Sequence, residues 1–241
     1  MVIPRYHDRM WSPDLYLDAF RFAAERHAGQ LVPGSALPYI VHIASVAAEV
    51  MGALAREVVA RPDLAVACAV LHDTLEDTAT TSEEIAARFG GDVAAGVRAL
   101  SKDAALPKQE RMADSLARIR AQPREVWLVK LADRIVNLGP PPGDWSTEKR
   151  RAYHAEARDI LTALAEASPF LAGRIDARIT AYSAFRSENW NSLLGSVAVN
   201  PRTQYLLIWS ITNWTTYWAT NKKTNIPRIP QLLSTSAHPR Q

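Results

Sequence analysis

The sequence predicts an all-α fold, a helical bundle, over its first 185 residues. Two observations support this prediction: helix start and stop signals recur through that region, and no alternating strand pattern or hairpin turn interrupts them. The chain has 241 residues, of which 22% are charged and 48% hydrophobic. This composition is typical of a folded domain and excludes a disordered, collagenous or disulfide-stapled chain.

Local signals delimit the predicted helices in order. Ser12 is an N-cap before Pro13, and Gly29 ends the first helix. Thr81 and Glu84 have capping-box spacing, and the short helix that they open stops at Gly90-Gly91, where another helix follows to about Leu100. The remaining helices are predicted over 39–54, 62–77, 108–121, 123–138, 146–166 and 169–184.

The composition changes near residue 186. Residues 1–185 contain 36 Ala and one Asn, whereas residues 186–241 contain three Ala, six Asn and four of the seven Trp. We therefore divide the chain into a domain over 1–185 and a distinct tail over 186–241, which could be an appendage, an added extension or a shifted reading frame. Residues 204–221 are uncharged but rich in Thr, Asn and Ser, which argues against a membrane span.

Charge and cysteine usage narrow the class of protein. Residues 186–241 carry a net charge of +5, so the rest of the chain, with 22 basic and 24 acidic residues, carries −2. The basic balance of the whole chain is therefore no argument that the main domain binds nucleic acid. The single cysteine, Cys68, excludes an intrachain disulfide and favours a reducing compartment, and no secretory signal is evident, so we expect a cytoplasmic protein.

Chemically informative residues follow a strongly apolar helix. The stretch 64–71 is apolar all round and leads into His72, Asp73, Thr74, Leu75, Glu76 and Asp77. An imidazole and three carboxylates at the end of a buried helix are costly unless a divalent cation compensates them. The alternative is that the helix emerges into water here and the acids are solvated.

A second polar feature lies on the helix predicted over 123–138. Within 126–138, four polar side chains fall within a 100° arc of an otherwise apolar helix: Lys130, Asp133, Arg134 and Asn137. This stripe either forms a solvated edge or lines a cavity. His42 lies on another apolar helix, where a lone histidine is more often a core residue than a metal ligand.

Together these motifs resemble a known family. His42, the His72-Asp73 pair and Asp133 match the H…HD…D signature of the HD superfamily of metal-dependent phosphohydrolases. The segments PYIVH, AVLHDTLEDT, RFG, LPK and VKLADRIVNL resemble the hydrolase domain of the RelA/SpoT alarmone enzymes over about residues 12–183. The resemblance implies an HD-domain helical bundle and a small alarmone hydrolase with no synthetase domain.

The resemblance also implies a site. It assigns a Mn²⁺ cofactor to His42, His72, Asp73 and Asp133, and the mixture of imidazole and carboxylate suits such an ion. It assigns the activation of the attacking water to Glu76 and Asp77. It assigns contacts with a nucleotide substrate to four further residues: Lys108, Asn137, Lys149 and Tyr153.

One position departs from the family pattern. The family has an arginine that packs on the base two residues after a glutamine, and this chain has Val32 two residues after Gln30. A cation–π partner of the base is therefore absent, and the resemblance leaves the choice between guanine and adenine open. Lys149 also replaces an arginine, which keeps the charge but loses bidentate geometry.

The sequence is compatible with three functions. The first is Mn²⁺-dependent hydrolysis of (p)ppGpp- or (p)ppApp-type nucleotides, with release of pyrophosphate. The second is another HD-superfamily activity, such as an NADPH phosphatase or a nucleotidase. The third is a silent nucleotide-binding module, against which the complete set of predicted ligands and acids argues. The expected partner is a small nucleotide, with no nucleic acid and no membrane, and the oligomeric state is left open.

Overall fold

The computed structural model describes residues 10–186, and these are all helix, turn and loop. The predicted all-α class is confirmed, and among residues 10–186 the only β-type pairing is an isolated antiparallel bridge between Leu31 and Pro38. The helices are α1 (Pro13–Arg26), α2 (Ile40–Leu54), α3 (Pro62–Leu71), α4 (Thr74–Asp77), α5 (Ser82–Phe89), α6 (Gly91–Leu100), α7 (Arg111–Arg120), α8 (Arg124–Asn137), α9 (Thr147–Leu164) and α10 (Pro169–Tyr182).

The predicted capping signals are confirmed. The Ser12 side chain accepts a hydrogen bond from the backbone N–H of Leu15 at the start of α1. Thr81 and Glu84 form the reciprocal bonds of a capping box at the start of α5. Gly90 separates α5 from α6 with a φ of 95°, a conformation that favours glycine.

The single helix predicted over 62–77 is wrong, because α3 ends at Leu71 and the short α4 begins at Thr74. The Thr74 hydroxyl donates to the Leu71 carbonyl at 2.7 Å, a local side-chain bond that competes with the continuing helical ladder. The break falls on His72 and Asp73. The helix predicted from 108 likewise begins later, at Arg111, whose guanidinium donates to the carbonyls of Ala104 and Leu106 in the preceding loop.

The central helix of the bundle is α3, of which every residue except Asp63 is buried. It packs against α1, α2, α6 and α8, and these contacts supply most of the hydrophobic core. The carboxyl end of α3 therefore lies beside α2 and α8. This arrangement brings the predicted ligands of three separate segments together.

The predicted tail lies outside the described residues, apart from Arg186. Its boundary and its role therefore stay predictions, as does the reading of residues 204–221. Among the described helices, none is both long enough and apolar enough to cross a membrane.

Candidate metal and phosphohydrolase site

Two buried histidines face each other where α2 meets the end of α3. The Nε2 atoms of His42 and His72 are 3.3 Å apart, and the residues are only 6% and 3% exposed. His72 donates its Nδ1–H to the carbonyl of Ala69 at 2.9 Å, so Nε2, the ring nitrogen that faces His42, is the atom available to a proton or a metal ion. Two ring nitrogens that converge in this way suit a shared cation better than a dry core.

Carboxylates complete the cluster. Asp73 Oδ2 lies 2.9 Å from Nε2 of His72 and 3.4 Å from Nε2 of His42, and Asp133 Oδ1 on α8 lies 3.6 Å from Nε2 of His42. One ligand atom from each of His42, His72 and Asp133 falls within 4.8 Å of the others, a spacing that could hold a metal ion. The side chain of Asp73 borders this set and contacts both histidines.

The electrostatics of the cluster match its geometry. Burial opposes the charged form of His72, but the carboxylates of Asp73 and Asp133 outweigh it and raise the pKa of His72 to about 9. Burial likewise opposes the charged form of Asp73, yet the two histidines hold its pKa well below the usual value. The pKa of Asp133 is also lowered, chiefly by Lys130 and His72 against the effect of burial. The two carboxylates therefore favour a positive charge in the cluster, which a proton or a metal ion could supply.

A second layer of hydrogen bonds fixes the carboxylates. The Tyr39 hydroxyl donates to Asp73 Oδ2 at 2.6 Å, and Lys130 Nζ donates to Asp133 Oδ2 at 3.1 Å. The Asn137 amide donates to Asp133 Oδ1. Such outer contacts orient metal ligands in many sites. The sequence motifs assign no role to Tyr39 and place Lys130 only on the polar stripe of α8.

The polar stripe on α8 is not a solvated edge. Lys130, Asp133 and Arg134 are between 3% and 7% exposed, and only Asn137 reaches the surface. Arg134 pairs with Glu156 on α9 and lies over the ring of Tyr153, with its guanidinium carbon 4.2 Å from the ring centroid. The stripe therefore faces the cluster of histidines and aspartates on one side and α9 on the other.

Glu76 and Asp77 lie one turn beyond the histidine pair, on the exposed face of α4. Glu76 Oε2 accepts from the backbone N–H of Lys102 at 2.9 Å, and its Oε1 lies 3.4 Å from Lys102 Nζ. Burial opposes the charge of Lys102, but Glu76 and Asp133 outweigh it and raise the pKa of the lysine. Asp77 Oδ2 accepts from the Gln30 amide at 3.0 Å. The sequence pattern did not indicate Lys102.

The four predicted substrate residues are not all brought together. Asn137 donates to Asp133, and Tyr153 lies against Arg134, the residue that follows Asp133 in α8. Lys149 lies over the Trp145 ring, with Nζ 4.1 Å from the centroid, and Trp145 contacts Tyr153 edge-on. Lys108 is exposed in the loop before α7, and within residues 10–186 it makes no hydrogen bond or ion pair with the other site residues.

Comparison with known proteins decides the family. The sequence family described as "HD domain" matches residues 19–170, more than half of the chain. The chain belongs to the HD-domain family. The matched region of this HD-domain protein contains the four residues of the H…HD…D signature: His42, His72, Asp73 and Asp133.

Similar proteins are RelA/SpoT-type enzymes, as the motifs indicated. The HD-domain protein is 35% identical over 167 residues to the guanosine-3′,5′-bis(diphosphate) 3′-pyrophosphohydrolase MESH1 of Xenopus tropicalis, covering 67% of this chain and 91% of that one. It is 33% identical over 153 residues to MESH1 of Homo sapiens, covering 61% and 83%. A solved metazoan ortholog of SpoT, described as hydrolysing ppGpp, superposes with a TM-score of 0.63 and 25% identity over 71% of this chain and 97% of that one. The resemblance to RelA/SpoT-type hydrolases is confirmed.

Proposed function

We propose that this HD-domain hydrolase removes the 3′-diphosphate of (p)ppGpp- and (p)ppApp-type alarmone nucleotides as pyrophosphate, with Mn²⁺ as its cofactor. The observation that carries the proposal is the convergence of His42, His72 and Asp133 within 4.8 Å, beside the carboxylate pair on α4. The names of the similar enzymes supply the substrate class.

The donor set fits the proposed cation. His42, His72, Asp73 and Asp133 offer imidazole nitrogen and carboxylate oxygen, a combination that suits Mn²⁺ and related mid-series ions, and no thiolate lies among them. When bound there, such a cation polarises a phosphoryl oxygen and activates water. The Nδ1–H bond of His72 to Ala69 holds the ring in the tautomer that a ligand at Nε2 requires.

We assign the proton transfer to Glu76 and Asp77. Each carboxylate is held by a donor of the chain, Lys102 for Glu76 and Gln30 for Asp77, and both are exposed to an incoming water. The water oxygen attacks the phosphorus attached to the ribose 3′-oxygen, and the proton of the water passes to a carboxylate. The bond between that phosphorus and the 3′-oxygen breaks, and the protonated carboxyl returns the proton to the leaving 3′-oxygen. The products are a nucleotide with a 3′-hydroxyl and pyrophosphate. A positioned general base of this kind contributes about 10²- to 10⁴-fold to the rate.

Recognition of the strongly anionic substrate needs local positive charge, because residues 1–185 carry a net charge of −2. We assign Lys108 and Lys149 to the phosphates and Asn137 and Tyr153 to the nucleotide. The aromatic side chain of Trp145 supports Lys149, and Arg134 adds a buried positive charge beside Tyr153.

The second candidate is an HD-superfamily phosphatase that acts on another nucleotide, such as NADPH. The observation that favours it is Val32, which is half-buried in the segment bridged by Leu31 and Pro38, at the position where the family has a base-stacking arginine. Without that contact, selection for the base of an alarmone is weaker.

We also propose a cytoplasmic location. Cys68 is free and buried in α3, and burial raises its pKa to about 12. It is therefore a small core side chain rather than a nucleophile. A free thiol is typical of proteins in a reducing compartment.

The proposed function is tested by measuring the metal bound to the protein and identifying the product that it releases. The purified chain, stripped of metal and reloaded with Mn²⁺, is given ppGpp, ppApp, NADPH and dNTPs, and pyrophosphate and orthophosphate are measured separately. We expect pyrophosphate from ppGpp or ppApp. Orthophosphate from NADPH alone would support the second candidate, and bound nucleotide without turnover would support a silent binding module.

Variants in the same assay separate ligands from proton-transfer groups. Asp73→Ala should lose bound metal and activity together, whereas Asp77→Ala should keep the metal and lose about 10²- to 10⁴-fold in turnover. Asp159→Ala, which removes an exposed carboxylate on α9, is the matched control and should behave like the unchanged chain. Full activity in a metal-free Asp73→Ala protein would contradict the proposed cofactor site.

A further inference from the structure

A buried histidine, His27, is connected to the carboxylate of Asp77 on α4 through the side chain of Gln30. His27 caps the end of α1 and is 4% exposed, and its Nδ1 lies 2.6 Å from Oε1 of Gln30. The other end of the same amide, Nε2, donates to Oδ2 of Asp77 at 3.0 Å. The chain of bonds therefore runs from His27 through Gln30 to Asp77.

The chemistry of the three groups fixes the direction of these bonds. The Asp77 carboxylate can only accept, so the NH₂ end of the Gln30 amide must face it. The amide oxygen then faces His27 and can only accept, so the hydrogen of the neutral ring must lie on Nδ1. The other ring nitrogen of His27, Nε2, is buried, and in the described part of the chain it has no hydrogen-bond partner.

The backbone of Gln30 is also held by two hydrogen bonds. The Gln30 N–H donates to the His27 carbonyl at 3.0 Å, and the Gln30 carbonyl accepts from the Tyr39 N–H at 2.9 Å. Gly29, with a φ of 81°, makes the turn between α1 and this position. The His27 ring packs on Tyr39 with centroids 5.0 Å apart, and Tyr39 in turn donates to Asp73. Gln30 is therefore held by its backbone and its side chain, next to Tyr39, which contacts Asp73.

We infer that Gln30 is a positioning residue for the reaction and that His27 fixes the orientation of its amide. The amide occupies Oδ2 of Asp77 and leaves Oδ1, which has no hydrogen-bond partner among residues 10–186, as the oxygen that receives the proton of the attacking water. The inference rests on the proposed function, since it assigns a supporting role to the same carboxylate. It also gives a role to His27, a buried histidine that does not belong to the candidate metal site.

Gln30→Met keeps the length of the side chain and removes both hydrogen bonds. We expect kcat to fall about tenfold or more, because a misplaced reacting group is costly, while KM and bound Mn²⁺ change less than about twofold. Gln122→Met, in the turn between α7 and α8, is the matched control and should leave kcat unchanged. An unchanged kcat in Gln30→Met would overturn the inference.

A double-mutant cycle separates positioning from a purely structural role. In an Asp77→Ala background, measured by single turnover with excess enzyme, Gln30→Met should change the rate less than about twofold, because Gln30 acts only through Asp77. An equal loss in both backgrounds would show that Gln30 merely supports the fold and would overturn the inference. A wild-type rate in Asp77→Ala itself would instead overturn the proposed role of Asp77.

The histidine is tested by a pair of substitutions. His27→Phe keeps a ring against Tyr39 but removes the donor, and His27→Asn keeps an N–H near the place of Nδ1. We expect His27→Asn to retain more kcat than His27→Phe, although the asparagine leaves a larger gap in the core. The reverse order would show that His27 contributes by packing alone. A wild-type chain inactive on ppGpp, ppApp, NADPH and dNTPs would overturn both the inference and the proposed function.

Discussion

At the scale of single residues, the charge state of His72 decides how the site responds to pH. Its raised pKa of about 9 reflects the carboxylates of Asp73 and Asp133, which outweigh burial. A metal ligand must be deprotonated, so a proton on this ring competes with the metal. In the metal-free chain, the same raised pKa stabilises the fold fully below about pH 6.5, and this stabilisation is lost as the pH rises through about 9.

We therefore expect Mn²⁺ to bind more tightly as the pH rises from about 6.5 towards 9, by about tenfold per pH unit for the one proton that His72 releases. Titration calorimetry at several pH values, repeated in buffers of different ionisation enthalpy, measures both the affinity and the number of protons released. An affinity that stays flat over this range, with no proton release, would contradict the prediction.

We expect a second single position, Val32, to influence the base preference. Val32 packs partly against the core, and Gln30, two residues before it, donates to the carboxylate of Asp77, so this segment borders the candidate site. We expect Val32→Arg to lower the KM for purine alarmones about 2- to 30-fold through a cation–π contact, with no change in Mn²⁺ affinity.

Leu31→Arg is the matched control for that substitution. Leu31 is 53% exposed, and successive side chains of an extended segment point to opposite sides, so this arginine adds the same charge away from the base. Competition between ppGpp and ppApp at equal concentration measures selectivity. A preference above about a hundredfold in the unchanged chain would exceed what one such contact supplies and would show that other residues select the base.

Residues of the site differ in how readily the sequence predicts them. The motif singles out His42, His72, Asp73 and Asp133 because it gives both residue types and order. In the structure each of the two aspartates lies within 4.0 Å of both histidines. Lys102 and Gln30 could not be assigned, because their contacts with Glu76 and Asp77 join residues 26 and 47 positions apart. Such contacts depend on how loops close over α4, which no local pattern specifies.

At the scale of elements, helix starts were easier to predict than a break inside a helix. The capping box at Thr81 involves only neighbouring residues, so its sequence signature is sufficient. The break after Leu71 arises where Thr74 returns a hydrogen bond to α3 and where Asp73 faces the two histidines. The site therefore interrupts a segment whose local pattern favours a continuous helix.

The close contact between α3 and α6 gives a prediction at this scale. A Cβ at Gly96 would lie 2.7 Å from Sγ of Cys68 and 3.0 Å from Cγ2 of Val126. Although alanine is preferred to glycine inside a helix, we expect Gly96→Ala to lower the free energy of unfolding by about 1–3 kcal/mol, because the buried neighbours have no room to move.

Urea denaturation of Gly96→Ala tests this packing against a matched substitution. Gly173 lies within α10 and a Cβ there would meet nothing within 4 Å, so Gly173→Ala should raise the free energy of unfolding by up to about 1 kcal/mol. Equal stabilisation in both variants would mean that α3 and α6 can separate at no cost.

At the scale of the whole molecule, the hydrophobic core of residues 10–186 and every assigned site residue lie before the change in composition near residue 186. At the carboxyl end of the described residues, Phe185 is 7% exposed and packs on Tyr182 with ring centroids 5.3 Å apart. Tyr182 in turn contacts Tyr153. Contacts among the described residues thus connect the end of α10 to Tyr153, one of the predicted substrate residues.

We therefore expect a chain that ends at Arg186 to fold, to bind one Mn²⁺ and to keep its kcat within about twofold, since none of the groups assigned to metal, water or nucleotide is removed. The same truncation removes most of the +5 charge of residues 186–241, so any weakening of substrate binding should appear in KM and should diminish at high salt. Circular dichroism, metal content and pyrophosphate release on both chains provide the comparison. A truncated chain that unfolds or loses its metal would show that the tail completes the core, and a salt-independent loss of kcat would show that it contributes to the site.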